Sequence, residues 1–378
     1  MKKLSPPTVF LWCGSLILLS YLLIAPADAA KSVTDALSAA ALKLVPSLFP
    51  FVAVCGIVVS TGLDRFIGRV LGAPFEKIFR INRSGAAAFF IGAVGGFPTG
   101  AIVTASLYDA GSLSSDEAER LLAISSNAGA AFCVGGIGMA LFDSPEIGWL
   151  IYLAGIASAI IIGIVSRGAA RKKRVGKTTS PEQKSNTAFA DTCGTDPKAS
   201  HSQKSEITRQ PEKSSNQPSQ KSAYSQENTT AAQTETPEAA RMDHLAPRLA
   251  KENLPALVAN SISNAGLSML KIASFVVFFR VAADMLSPFL TRVAGKHLTA
   301  ILTSFLEITT AAGLASRLDT GIGIIICGFA AGFSGLSVHG QVASAVGDRF
   351  GMKRFFFAKL AQGILTATLC AVCCAVIR

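Results

Sequence analysis

Apolar runs of membrane-spanning length recur along this chain and leave few folds open to it. A helix needs about 20 such residues to cross the hydrocarbon core of a bilayer. In lipid every backbone N–H and C=O must bond within the protein, so runs of this length indicate α-helices. The sequence therefore predicts an all-α integral membrane protein embedded in the lipid bilayer. The runs lie at about 8–26, 44–64, 84–107, 121–142, 147–166, 256–283, 298–316, 320–346 and 356–377.

Charge is unevenly distributed along the chain. Only 16% of residues are charged and the mean hydropathy is +0.45, whereas soluble domains carry about a quarter charged residues. Residues 167–252 hold many of the charges, with abundant Ser, Thr, Gln and Pro and few large apolar side chains. Such a segment cannot bury enough apolar surface to offset its chain entropy. It is predicted to be a disordered cytoplasmic linker.

The linker divides the chain into two membrane halves. We expect four parts: 1–30, a transmembrane helix or signal anchor; 31–166, the first half; 167–252, the linker; and 253–378, the second half. At the N-terminus, Lys2 and Lys3 precede an apolar run, and Ala27-Asp28-Ala29 resembles a cleavage site. A cleaved signal peptide and a retained helix both fit this pattern, and the retained helix is favoured.

Basic residues set the expected topology, because they stay on the cytoplasmic side. The N-terminus, a basic amphipathic stretch at 65–83 and the basic run 171–174 should all lie inside. This parity requires that one of the three apolar runs between 84 and 166 does not cross. The run 84–107 is the best candidate, because the glycines and the proline of 95–100 break a helix. It is predicted to be a re-entrant hairpin that enters from the cytoplasm.

The second half echoes the first. An apolar helix at 256–283 precedes an amphipathic stretch with Arg292 and Lys296, and a second glycine-rich break follows at 332–340. Parity places this amphipathic stretch outside, opposite to the one at 65–83. Two halves of opposite orientation are typical of the inverted repeats of secondary transporters, whose binding site forms at the broken helices. The sequence thus predicts two pseudo-repeated, inverted helical halves with glycine- and proline-broken re-entrant segments.

Two ionisable residues stand out within the apolar runs. Glu307 is costly in hydrocarbon and should face a cavity or a partner, as a cation, proton or solute site or, alternatively, as an ion pair with Lys271. His339 can change charge near neutral pH and suits a proton-coupled step, although a packing histidine is an equal alternative. Coupling to H⁺ or Na⁺ is therefore open, and no other cofactor and no metal site is expected.

Polar residues cluster near both breaks. Hydroxyls and amides in membrane helices often only bond neighbouring helices, but their clustering favours a solute site. The predicted substrate-binding residues are Phe97, Pro98, Thr99, Gly100, Ser125, Ser126, Asn127, Glu307, Thr309, Thr310, Ser334, Ser337, His339 and Gln341.

Other classes of function find little support in the sequence. It contains no P-loop, HExxH or GxSxG motif, so we do not expect an enzyme. Seven of the eight cysteines lie in apolar runs, and the pair Cys370 and Cys373 has no nearby His or acid to complete a metal site. The net charge of +11 comes from cations that flank apolar runs or lie in the linker, so no nucleic-acid partner is expected.

Several short motifs occur in the order found in a known family. They lie at 46–51, 95–101, 119–122, 125–127, 306–309 and 333–341. In these motifs the chain resembles the sporulation integral membrane proteins (YlbJ-like), which belong to the nucleoside-recognition, or Gate, domain group. The stretch 327–330 followed by Phe333 and Ser334 is also similar to part of the concentrative nucleoside transporters. The resemblance covers about 40–166 and 255–377; Phe97, Ile102 and Ala128 stand where Tyr, Lys and Pro are common in the family.

The resemblance implies a transporter-like protein in the inner membrane of a spore-forming bacterium. It would be a secondary transporter or permease for a small polar or anionic metabolite, with dipicolinate the natural candidate. The alternative is a non-transporting membrane scaffold for spore assembly that recruits partners through its linker. Homo-oligomer formation stays open at this point.

Overall fold

The computed structural model describes residues 6–61, 63–167 and 254–377, which are helical with short connections and belong to one compact unit. No strand occurs among these residues. The all-α membrane fold is therefore confirmed. The predicted linker lies outside the described residues, except for Arg167.

The first half begins with two helices that bend sharply at Ala25 and ends with a long apolar helix. The chain continues from α2 through a π-helical turn, Ala40–Leu44, directly into α3. The helices are α1 Pro6–Ile24, α2 Pro26–Ala39, α3 Val45–Ser60, α4 Leu63–Phe79, α5 Gly85–Gly95, α6 Thr99–Asp109, α7 Ser115–Ser125, α8 Ala131–Phe142 (π-helical over Ala131–Met139) and α9 Pro145–Ser166.

The second half is built from fewer and longer helices. Its first helix is kinked at Gly295, whose φ of 75° is open to glycine but costly for other residues. The helices are α10 Leu254–Ser304, α11 Ile308–Ala315, α12 Thr320–Phe333, α13 Gly335–Val346 and α14 Lys353–Ile377.

Several described helices are long and apolar enough to cross a bilayer. Four segments meet this criterion: α9, α10, the pair α12–α13 and α14. A fifth is added if α1 and α2, bent by 105°, count as one span. The chain after this bend is helical. Pro26 stands at the first turn of α2, where its missing N–H costs no hydrogen bond.

The first predicted break is confirmed. Helix α5 ends at Gly95, and Gly96 adopts a φ of 73° before α6 begins at Thr99. The two helices lie side by side, because a β-carbon placed on Gly92 would lie 3.0 Å from the Gly100 Cα. The Ser125 carbonyl lies against both glycines. A hairpin of this closeness requires glycine at both positions.

Two other apolar runs, predicted as continuous, are divided. The run 298–316 breaks at 305–307, between the end of α10 and α11, and the run 121–142 breaks at 126–130, between α7 and α8. Neither continuous helix was correct. The segment 305–307 contains no glycine or proline, and its break is stabilised instead by Glu307, which caps the new helix.

Contacts between the halves define the direction of the broken helices. At one end Asp109 bonds Arg349 and Asp116 bonds Arg354, each at 2.8 Å. At the other end a β-carbon on Gly323 would lie 3.3 Å from the Phe142 ring. Helices α7–α8 and α12–α13 thus run in opposite directions, as inverted halves require; the repeat itself stays a prediction. The second predicted break, at 332–340, is also present: α12 ends at Phe333, Ser334 adopts a φ of 73°, and α13 begins at Gly335.

A buried arginine fixes the end of α4 near this ion-paired end. Arg120 is almost fully buried, and its guanidinium donates to the carbonyls of Phe79 (3.0 Å) and Arg80 (2.6 Å) and to Asp116 (3.2 Å). The last carbonyls of a helix lack intrahelical partners. Arg120 therefore ties the predicted amphipathic segment to α7.

Gly100→Ala should destabilise the protein, because the added methyl group would collide with the Ser125 backbone. We expect a loss of at least about 1–3 kcal/mol, typical of overpacking, measured as a lower melting temperature in detergent. Gly266→Ala is the matched control, since its β-carbon would meet nothing within 4 Å. Equal stability of the two variants would contradict the close packing of the hairpin.

Candidate functional site

Each half has a hairpin followed by a broken helix, and the hairpin tip lies against that break. The tips are at Gly96 and at 305–307, and the breaks are at 126–130 and at Ser334. In the first half, a β-carbon on Gly129 would lie 3.0 Å from the Gly96 nitrogen. In the second half, the backbone N–H of Leu336 donates to the Phe305 carbonyl (2.8 Å) and that of Ser337 to the Leu306 carbonyl (3.0 Å). These contacts hold the irregular segments of each half together.

A small cavity lies where the tips and breaks meet. Its volume is about 20 Å³, which holds roughly one water molecule. An organic solute could therefore bind here only if the tips and breaks moved apart. The lining residues are Gly96, Phe97, Gly129, Phe132, Ile272, Val276, Glu307, Ile308, Thr309, Ser337, Val338 and Gln341.

Glu307 forms one wall of the cavity and is fully buried. Its carboxylate accepts hydrogen bonds from the backbone N–H groups of Thr309 (2.9 Å) and Thr310 (2.6 Å), and from both threonine hydroxyls. The N-terminus of α11 adds a favourable helix dipole. Lys271, the alternative ion-pair partner, is exposed. The charge of Glu307 is therefore compensated by local donors at the cavity wall.

Four buried polar atoms have no hydrogen-bond partner among the described residues. They are Ser126 Oγ, Ser337 Oγ, His339 Nε2 and Gln341 Oε1. Each such atom costs about 1–3 kcal/mol and calls for a ligand or water. Ser337 and Gln341 line the cavity, so at least two of the four belong to the candidate site.

His339 lies in an aromatic cluster. Its Nδ1 is 2.7 Å from the Gly335 carbonyl, and its ring centroid is 4.9 Å from those of Phe333 and Phe355. Since Nδ1 faces an acceptor, a neutral ring carries its proton there and offers Nε2 as an acceptor. His339 thus packs as a core histidine and also presents an unused nitrogen.

The structure brings five of the predicted residues to the cavity and places the others around it. Those at the cavity are Phe97, Glu307, Thr309, Ser337 and Gln341. Most of the others have structural partners: Thr99 donates to the Gly96 carbonyl, Ser125 Oγ is 3.2 Å from Thr104 Oγ1, Thr310 bonds Glu307, and Ser334 donates to the Ala331 carbonyl, while Pro98 and Gly100 shape the hairpin.

Sequence reasoning missed a buried polar cluster on α14. Lys359 Nζ donates to the side-chain oxygens of Asn127 (3.1 Å) and Gln362 (2.9 Å), and Gln362 Nε2 donates to Asn127 (2.8 Å). Lys359 lies near the start of an apolar run, where a basic residue resembles an interfacial anchor. Glu307 was singled out because an ionisable group inside a membrane span is costly and usually functional. The same rule applied to Lys359 would have identified this cluster.

Glu307→Gln should destabilise the protein, because an amide nitrogen would face donors that now bond a carboxylate oxygen. We expect a loss of about 1–3 kcal/mol in the free energy of unfolding, measured by thermal denaturation in detergent. Asp319→Asn is the matched control, an exposed cap of α12 at which Asn is about as good as Asp. An equal, small effect at both positions would argue against a buried, fully bonded Glu307.

Comparison with known proteins gives one significant similarity. The chain is 26% identical over 342 residues to the sporulation integral membrane protein YlbJ of Bacillus subtilis (strain 168), across 85% of this chain and 72% of that protein. No family model matches the chain, and no solved structure is similar to it. The predicted resemblance to YlbJ-like membrane proteins and the location in the cell membrane are confirmed. The similarity to the Gate group and to nucleoside transporters stays a prediction.

Proposed function

We propose that this protein is a secondary transporter or permease that binds a small polar solute between its two hairpin tips. The observation that supports this best is the cavity itself. Two tips and two helix breaks converge there, and two buried polar atoms in its wall lack partners. Irregular backbone at membrane depth occurs where it lines a cavity or is covered by protein. In secondary transporters such backbone forms the solute site.

The cavity is too small for an organic solute, so this conformation is a closed state in the proposed transport cycle. Solute entry requires one hairpin to move away from its helix break. On the side where α6 ends, the first hairpin is held to the second half by Asp109 and Arg349. Exposed ion pairs contribute only about 0–1 kcal/mol, so this contact can open and close at small cost. Access to the cavity from that side is the simplest route.

The process in this proposal is carried over from the similarity, whereas the solute comes from the family resemblance of the sequence. The relative's name associates that protein with sporulation, and we propose a role in spore formation for this chain as well. Among small metabolites of spores, dipicolinate remains the first candidate to test. Coupling to H⁺ or Na⁺ is part of the proposal, with Glu307 at the cavity wall and His339 beside the break at Ser334 as the candidate ionisable groups.

Ser337→Ala should leave the stability of the solute-free protein unchanged or higher and should weaken solute binding. Removing a buried hydroxyl without a partner removes an unpaid desolvation cost, but it also removes a group for the solute. We expect about tenfold weaker binding, which corresponds to roughly 1.4 kcal/mol. The measurement is thermal stabilisation by dipicolinate, dicarboxylates and nucleosides, with and without sodium.

Ser158→Ala serves as the control for this variant. The Ser158 hydroxyl is 2.7 Å from that of Thr366 and far from the cavity lining. Its loss should lower stability by about 1 kcal/mol and leave solute binding intact. If no solute stabilises the folded parent protein, the transporter proposal fails.

A membrane scaffold for spore assembly is the second candidate function. The observation that favours it is the long polar segment 167–252, which could recruit partners. Deleting 175–245 separates the two proposals. A scaffold would lose its role in sporulation, whereas a transporter would retain solute binding and support sporulation.

A further inference from the structure

Lys359 is enclosed by protein. Its side chain is fully buried in α14, within a segment apolar enough to span the membrane. Its Nζ atom donates to Asn127 Oδ1 at 3.1 Å and Gln362 Oε1 at 2.9 Å, and it lies 5.9 Å from the centroid of the Phe355 ring. All three neighbours are uncharged.

The Lys359 amine has no acidic partner within the described part of the chain. No carboxylate there forms an ion pair or hydrogen bond with Nζ, and the acidic partners of α14 bond Arg354, five residues earlier. Two acceptors satisfy a neutral amine, whereas the ammonium form offers a third donor, which has no acceptor among the described residues. Burying a charge without an opposite charge is expensive, and intramembrane ionisable residues mark solute or ion pathways.

The break at 126–130 connects Lys359 to the cavity. Asn127, the acceptor for Nζ, lies two residues before Gly129, which lines the cavity. Two residues of extended chain span at most about 7 Å. Ser126, which precedes Asn127 in the break, has a buried hydroxyl without a partner among the described residues. Any movement of the break that enlarges the cavity therefore acts directly on the ligands of Lys359.

The charges around the cavity define the orientation of a solute. Glu307 places a negative charge in one wall, and Gln341 presents an unpartnered acceptor oxygen there. Both attract hydrogen-bond donors and repel an anionic group. Lys359 bonds Asn127, which belongs to the break 126–130 that contributes Gly129 to the wall. A solute with a negative group would therefore direct that group towards the break and away from Glu307.

We infer that Lys359 pairs with a carboxylate of the transported solute when the break at 126–130 opens, with Ser126 as an additional donor. This inference rests on the proposed transport function and assigns to Lys359 the recognition of a carboxylate of its solute. Asn127 and Gln362 hold the Lys359 amine in the closed state, and its ammonium form donates to the solute carboxylate in the open state.

The test compares a dianion and a neutral molecule of the same shape. Purified full-length protein is heated in detergent with pyridine-2,6-dicarboxylate or with pyridine-2,6-dicarboxamide, and the concentration that gives half-maximal stabilisation is measured for each. Inorganic phosphate is a third arm, which separates recognition of a carboxylate from binding of any anion. The variants are Lys359→Met, Lys359→Arg and Asn127→Asp, with exposed Lys353→Met as the matched control.

We expect the parent and Lys353→Met to prefer the dicarboxylate over the diamide by at least tenfold and to respond little to phosphate. Lys359→Met should lose this preference, and Lys359→Arg should keep part of it because the charge remains. Asn127→Asp should abolish dicarboxylate binding, because it supplies the counter-charge internally. A lysine that only stabilises the fold would lower the melting temperature without changing the preference.

Four results would overturn the inference. Retained preference in folded Lys359→Met would show that another group pairs with the anion, and the transporter proposal would stand. Equal or stronger stabilisation of the parent by the diamide or by phosphate would remove the carboxylate as the solute class. No stabilisation of the folded parent by any solute in the wider panel would remove the transporter proposal as well. If Lys359→Met does not fold, retained dicarboxylate binding in Asn127→Asp overturns the inference by itself.

Discussion

The backbone at the helix breaks must be satisfied by protein, because lipid offers no hydrogen bonds to it. The two halves meet this requirement by placing each hairpin tip against the next broken helix. In the second half the contact is a pair of backbone hydrogen bonds from Leu336 and Ser337 to the tip at 305–306. In the first half it is the close approach of Gly96 and Gly129. The cavity exists because these four irregular segments must cover one another.

Two buried charges flank this arrangement, and the protein treats them differently. Glu307 is compensated by four donors at the start of its own helix, so its environment is complete. Lys359 has only two neutral acceptors, one from each half of the protein. A locally completed charge stabilises a fixed structure. A side chain whose partners come from both halves changes its environment if the halves move relative to each other, which is the property that solute recognition needs.

The four buried polar atoms without partners test how well sequence position alone identifies site residues. Ser126, Ser337, His339 and Gln341 were all singled out as site residues from their positions near the glycine-rich breaks. In the structure each is buried and carries a polar atom without a partner in the described part of the chain. Other polar residues chosen by the same rule, such as Thr99 and Ser334, bond to nearby carbonyls. Proximity to a break in the sequence correctly predicted that both sets of residues are buried. It could not distinguish hydroxyls that bond the backbone from polar atoms that remain available to a ligand.

The sequence by itself determined the membrane class, the helical fold, the break at Gly96 and the importance of Glu307. These follow from local properties: the length of apolar runs, the backbone freedom of glycine and the cost of a charge in hydrocarbon. The tertiary structure decided the breaks at 305–307 and 126–130, the partners of Glu307 and the burial of Lys359. The break at 305–307 has no glycine or proline to announce it, and Lys359 meets Asn127 from more than two hundred residues away. Such pairings depend on how the halves pack, which no local pattern encodes.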